Sequence, residues 1–142
     1  MVRVGSPADV DALLDLWLVA AENASRPSDG RSAVLALLQR DPEALLVAEE
    51  GGRLVGSVVA GWDGWRAHLY RLAVHPDQRR RGIGQALLEA AEARLASLGA
   101  LRFDAMVLDE NQLGHRVWQA AGYRRQGDWG RWVKPVLVSP AP

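Results

Sequence analysis

Between Val74 and Gly84 the chain reads Val-His-Pro-Asp-Gln-Arg-Arg-Arg-Gly-Ile-Gly, three arginines and two glycines in one short run. A strand-like stretch ends at the His75–Pro76 step, and apolar residues at helical spacing begin at Ile83. Strand, glycine-rich turn and helix start, in this order, aim unpaired backbone N–H groups and the positive end of a helix dipole at one point. Such a point holds phosphates, so the spacing predicts a ligand with a diphosphate here. The plainer alternative is a tight turn with a solvated arginine run. The dinucleotide fingerprint does not apply, because its third glycine would fall at Leu87, and no phosphate loop ending in Gly-Lys-Ser/Thr occurs.

The rest of the composition narrows the chemistry. The 142 residues contain no cysteine, which excludes disulfides, a thiolate nucleophile and cysteine-based metal sites. Lys+Arg 17 balances Asp+Glu 17, so no global field draws the chain to nucleic acid or to a membrane, and neither partner is expected. The opening Met1-Val2-Arg3-Val4 is no apolar leader, and no apolar run approaches a membrane span of about 18 residues, so a soluble cytoplasmic protein is expected. The six tryptophans are read as core or pocket walls.

The elements that must position the turn follow from periodicity. Residues 2–4 suit a short edge strand, and Ser6-Pro7-Ala8-Asp9 is a capping box with Pro at the first helical position. Val10, Leu13, Leu14, Trp17, Leu18 and Ala21 then recur at helical spacing. A loop over 25–30 leads to a second helix, which Asp29 would cap and which carries Val34, Leu35, Leu37 and Leu38. Strands are expected at 45–48, 54–62 and 67–74, joined by turns at Gly51-Gly52 and at Asp63-Gly64-Trp65. A helix over 82–98 would bury Ile83, Leu87, Ala90, Ala91, Leu95 and Leu98 and end at Gly99. A strand at 101–108, a helix over 111–121 capped by Gly122, and strands at 123–126 and 131–136 complete the reading. The expectation is one α/β (α+β) domain over 1–138 with a flexible tail at 139–142.

The segment from Arg71 to Leu88 closely resembles the acetyl-CoA signature of the GNAT N-acetyltransferase superfamily, Gln/Arg-x-x-Gly-x-Gly/Ala, met here by Arg79, Gly82 and Gly84. Asp109-Glu110-Asn111 through Gly122-Tyr123 resembles the family's second block, in which an Asn opens a helix that ends at Gly-Phe/Tyr. The resemblance implies a mixed, mostly antiparallel sheet of six to seven strands flanked by about four helices, with a splay between strands 4 and 5. It also implies acetyl-CoA as co-substrate and no metal. Backbone groups of Arg79, Arg80, Arg81, Gly82, Ile83, Gly84 and Gln85 would hold the pyrophosphate. Those of Leu72, Ala73 and Val74 would pair with the pantetheine arm as an added strand. Asn111 would contact the pantetheine or hold the splayed strands, and Trp118, in the same block, is counted with the cofactor-binding residues. Many relatives pair, so a homodimer is part of the expectation.

The implied reaction is attack of a primary amine, on a small molecule or a protein, on the thioester of acetyl-CoA. An amine of pKa about 10.4 is neutral in about one molecule in 2,500 at pH 7, so a base helps. His68 is the candidate base, because residues 68–75 look like the strand of serotonin N-acetyltransferase in which a His assists deprotonation. A packed or exposed strand histidine is the alternative. Regular period-two geometry would put His68, Tyr70 and Leu72 on one face. His75 is read as structural or exposed, and His115, in the first turns of the last helix, has no clear catalytic claim. The family's usual tyrosine acid falls at Trp118, whose indole cannot give up a proton in this role, so Tyr70 is the substitute acid. Trp62, Trp65, Trp129 and Trp132 are candidates for an aromatic acceptor wall, against ordinary packing. Asp63, Glu22 and Asp128 are possible ammonium partners, against solvated acids. A non-catalytic acyl-CoA-binding or sensor module is the second reading, favoured by Trp118.

Overall fold

The computed structural model describes residues 1–20 and 29–137. Ala21, Glu22, the expected loop up to residue 28 and the tail from residue 138 lie outside them. The elements run β1 Val2–Val4, α1 Val10–Ala20, α2 Arg31–Arg40, β2 Leu45–Glu50, β3 Arg53–Trp62, β4 Ala67–Val74, α3 Ile83–Leu98, β5 Phe103–Ala105 and α4 Gln112–Ala120. The five strands form one sheet in the order β1-β2-β3-β4-β5. All neighbours are antiparallel except β4 and β5, which are parallel. No described helix is long and apolar enough to cross a membrane.

Alternation along the strands sorts their side chains into two cores. On one face, Leu46, Ala48, Val55, Val58, Ala60, Ala67 and Leu69 pack against Ile83, Leu87, Leu88, Ala91 and Leu95 of α3. On the other, Leu45, Val47, Val59 and Ala73 pack against Val10, Leu13, Leu16 and Trp17 of α1 and Val34 and Leu38 of α2. The α3 stripe is thus close to the sequence reading, except that Leu88 is buried and Leu98 is 43% exposed. In α1, Leu16 is buried as well as Val10, Leu13 and Trp17, and Leu18 faces out at 78% exposure.

The mixed sheet between helical layers agrees with the expectation, but the strand count differs. Residues 123–126 and 131–136 form no strand, so the described sheet has five strands rather than six or seven. The strand expected over 101–108 shrinks to Phe103–Ala105. Asp29 does not cap α2; the N-cap is Gly30. Asp29 instead binds Arg71, accepting from Nε at 2.9 Å. The charge of a guanidinium outweighs a cap bond, which contributes about 1 kcal/mol.

Two features of β4 determine which of its groups are left open. Its pairing with β5 covers only Ala67, Leu69 and the residue between them, while β4 continues to Val74. The two strands therefore part after Leu69, leaving that edge of β4 without a neighbouring strand among the described residues. At the same place β4 bulges. Tyr70 pairs with Val59 and Ala73 with Ser57, so Arg71 and Leu72 together oppose Val58. Arg71 takes the left-handed conformation, φ 54°.

Candidate active site

The bulge changes which residues share a face. Leu72 and Val74 pack in the α3 layer with Ala67 and Leu69, whereas Ala73 packs against α1 and α2. The expected trio His68, Tyr70 and Leu72 is therefore split. An extra residue in a strand reverses the alternation beyond it. His68 and Tyr70 stay together, their ring centroids 5.9 Å apart. They line a cavity of about 500 Å³ with Leu37 and Arg40 of α2, Asp41 just after it, Gly61 and Trp62 at the end of β3, and Asp63, Gly64 and Arg66 in the β3–β4 turn. Gly61 leaves room for the Tyr70 ring, which would lie 3.0 Å from any Cβ placed there.

Burial raises the Tyr70 phenol above its ordinary value, which keeps it protonated at neutral pH. Asp63 is held below the usual carboxylate range, because the Arg66 and Trp65 amides donate to its Oδ1 at 2.6 and 2.7 Å. The carboxylate thus shapes the turn. Asp41 accepts from Arg94 at 2.5 Å, and Arg94 also donates to the Ala60 carbonyl, tying α3 to the cavity floor. A separate cavity of about 580 Å³ between the β1 end and α2 holds none of the candidate residues.

On the opposite side of the bulge lies the glycine-rich turn. Arg80 and Gly82 are both left-handed, at φ 63° and 78°. Gly82 is the N-cap of α3 and puts no side chain over the helix end, and the first turn carries no acidic residue. The first ladder bond runs from the Ala86 N–H to the Gly82 carbonyl at 3.0 Å, so the Ile83, Gly84 and Gln85 amides precede the helix ladder. Arg79, Arg80 and Arg81 are exposed, and Arg81 reaches Gln78 Oε1. Gly82 needs its freedom for its φ. Gly84 does not, and a Cβ there would sit at ordinary distances from Val117 and Val74. An open helix N-terminus flanked by arginines and by the free edge of β4 fits a diphosphate with a long amide-bearing arm.

The remaining candidates fall into structural places. Asn111 caps α4, its Oδ1 accepting from the Gly114 N–H at 2.9 Å. Trp118 is buried at 8% exposure in the α3 layer, edge-on to Tyr123 with centroids 4.9 Å apart. Tyr123 donates to Glu92 at 2.7 Å. His75 accepts from the Asp77 amide, and His115 Nε2 lies 2.9 Å from the Leu108 carbonyl. Of the four tryptophans, only Trp62 lines the cavity; Trp65, Trp129 and Trp132 are 71%, 75% and 96% exposed. Asp128 is exposed.

The sequence reading missed a buried group behind the bulge. Trp17 Nε1 donates to Ser57 Oγ, and Ser57 Oγ donates to the Arg71 carbonyl, each at 2.9 Å. The Arg71 guanidinium stacks 4.5 Å from the Trp17 ring and pairs with Asp29 at 2.8 Å. A polar Ser57 inside an apolar strand was the one available signal.

Comparison with known proteins agrees with this geometry. The model of the Acetyltransferase (GNAT) family matches residues 10–123. "Acetyltransferase YE1169" of Yersinia enterocolitica is 35% identical over 126 residues, 88% of either chain. Ard1 of Thermoplasma volcanium superposes with TM-score 0.77 at 22% identity, over 89% of this chain and 84% of that one. The yncA protein of Salmonella typhimurium, solved with its cofactor acetyl-CoA, gives 0.70 at 23% identity, over 86% and 78%. A five-stranded mixed sheet with a parallel β4–β5 pair, an open α3 N-terminus and these matches have one common source: the chain belongs to the GNAT acetyltransferase family.

Proposed function

We propose that this acetyltransferase moves the acetyl group of acetyl-CoA to a primary amine, on a small molecule or a protein, by direct attack in a ternary complex. The observation that carries the reading is the parting of β4 from β5 directly beside the bare N-terminus of α3. Amides 79–85 would hold the pyrophosphate, and Leu72, Ala73 and Val74 would pair with the pantetheine amides along the free strand edge. The cavity of His68 and Tyr70 opens on the other face, so donor and acceptor approach β4 from opposite sides. Holding the two reactants in line is worth about 7–11 kcal/mol, more than either proton transfer.

In this scheme the amine nitrogen bonds to the thioester carbon, the C–S bond breaks and its electron pair leaves on sulfur. His68, directly or through water, takes the proton that the amine sheds. Tyr70 serves as a hydrogen-bond donor more than as an acid. A phenol raised above about 10 would have to give its proton uphill to a thiolate of about 8.5, a cost of at least about 2 kcal/mol. A thiolate of that basicity departs without it. Pairing with a second copy belongs to the same reading, supported by the exposed Trp132, Val133, Val136 and Leu137.

Trp118 supports a second reading. It fills the core where the family places its acid, so a chain that binds acyl-CoA without turning it over fits the same fold. Thiol release from acetyl-CoA across a panel of amines, with calorimetric CoA titration beside it, separates them. Release with at least one amine supports the enzyme. Tight CoA binding with background release throughout supports the sensor.

A further inference from the structure

The hydrogen-bonded chain behind the bulge has no part in the transfer scheme, yet its direction is fixed by chemistry. An indole N–H only donates and a carbonyl only accepts, so the single Ser57 proton is committed to Arg71. Ser57 is 0% exposed and Trp17 4%, so water does not compete for these bonds. The bond acts on a strained residue. A non-glycine in the left-handed region costs about 1–2 kcal/mol and persists where its surroundings over-determine it. Among the described residues, Arg71 is held at its carbonyl by Ser57, at its guanidinium face by Trp17 and at its guanidinium edge by Asp29.

Peptide geometry carries this restraint to the next residue. The described peptides are all trans, and in a trans peptide the C=O and the following N–H point in opposite directions. With the Arg71 carbonyl turned onto Ser57, the Leu72 N–H points away from Ser57. Leu72 lies beyond the last β4–β5 pair, where the strand edge is open. Its side chain packs on the α3 side, opposite to Trp17. Ser57 thus sets the aim of an amide on the open edge of β4.

We propose that Ser57, oriented by Trp17, is a positioning residue that aims the Leu72 N–H at the thioester carbonyl oxygen of the bound donor. The assignment rests on the acetyl-transfer reading. As the amine nitrogen bonds to the carbonyl carbon, the C=O electron pair moves onto oxygen, and it returns as the C–S bond breaks and sulfur leaves with its pair. A donor fixed beforehand strengthens on that passing charge without reorganising.

The test combines turnover with the infrared carbonyl band of carbonyl-labelled acetyl-CoA bound in the absence of any amine. In the wild-type chain the band is expected below that of free acetyl-CoA. In Ser57→Ala it should return toward the free position, with kcat lowered about 10- to 100-fold and CoA affinity unchanged. Trp17→Phe keeps the ring and loses only the N–H, and a smaller shift in the same direction is expected. If Ser57→Ala does not fold, Trp17→Phe carries the test. A wild-type band at the free position, or a variant with unchanged band and unchanged kcat, overturns the assignment. The band is read without acceptor, so failure of transfer with every amine counts against the enzyme reading alone.

Discussion

His68 and Gly82 stand on opposite sides of one strand, and their substitutions should fail in opposite ways. His68→Ala removes the proposed base from the cavity beside Tyr70 and touches nothing at the α3 N-terminus. We expect kcat to fall by about 10²- to 10⁴-fold with CoA affinity unchanged. A pH–rate series from about 6 to 9 checks this; a variant that matches wild type throughout has lost no catalytic group. Gly82→Asp acts on binding instead. The φ of 78° costs an L residue about 1–2 kcal/mol, and a carboxylate there meets the amides that would hold phosphate. A Cβ at Gly82 has nothing within 4 Å, so the core is untouched. CoA Kd should rise at least about tenfold, with Gly82→Ala between it and wild type; equal Kd values in all three would remove the phosphate assignment. Gly82 was legible because its position demanded a residue type. Arg71 was not, since nothing in an arginine announces a left-handed backbone. Its conformation is imposed by Ser57 and Trp17, far away in sequence.

At the scale of elements, local signals with a chemical partner survived and those without one did not. The Gly51-Gly52 turn, left-handed at both residues, and the left-handed Gly99 cap fixed their boundaries within a residue or two of the reading. The alternating residues 131–136 look like a strand but pair with none of the described strands, and strand propensity without a neighbour fixes no strand. The bulge in β4 also escaped the reading, and with it the true division of faces. Helix α4 offers a test of how an element is held. Asn111 reaches back to the Gly114 N–H only because Gly114 has no side chain, and a Cβ there would lie 2.2 Å from Asn111 Nδ2. Gly114→Ala should expel the cap and cost about 1 kcal/mol, outweighing alanine's better helix propensity. Thermal melting and hydrogen exchange of the α4 amides measure it; faster exchange confined to α4 is the expected result, and a stabilised helix the contrary one.

Across the whole molecule, the β1 clamp and the candidate site lie at different places in the sheet. The site gathers around β4, whereas β1 is locked by Arg3, whose two terminal nitrogens donate to the Asp9 carboxylate at 2.9 and 2.8 Å. Arg3 also donates to Glu49 on β2 at 2.9 Å, and Asp9 Oδ2 accepts the Ser6 amide at 2.8 Å, which joins the strand, the turn before α1 and the next strand. This capping turn was legible in Ser6-Pro7-Ala8-Asp9; the arginine clamp on it was not, because it depends on which face of β1 meets the turn. The Arg3 guanidinium, then the Ser6 amide, hold the Asp9 carboxyl down from 3.8 to about 2. A carboxyl lowered on folding stabilises the fold fully above its ordinary pKa and loses that contribution as pH falls toward the folded value. The window is therefore about pH 4 down to about pH 2. Arg3 is a third exposed, so screening brings the contribution to the order of 1 kcal/mol. Urea melts of wild type and Asp9→Asn should differ by that amount near neutrality and converge across the window. The acyl-transfer rate of Asp9→Asn should match wild type wherever both are folded. A stability gap that persists at the acid end would mean that the variant lost packing rather than charge, and a slowed rate would mean that β1 and the site are coupled through the sheet.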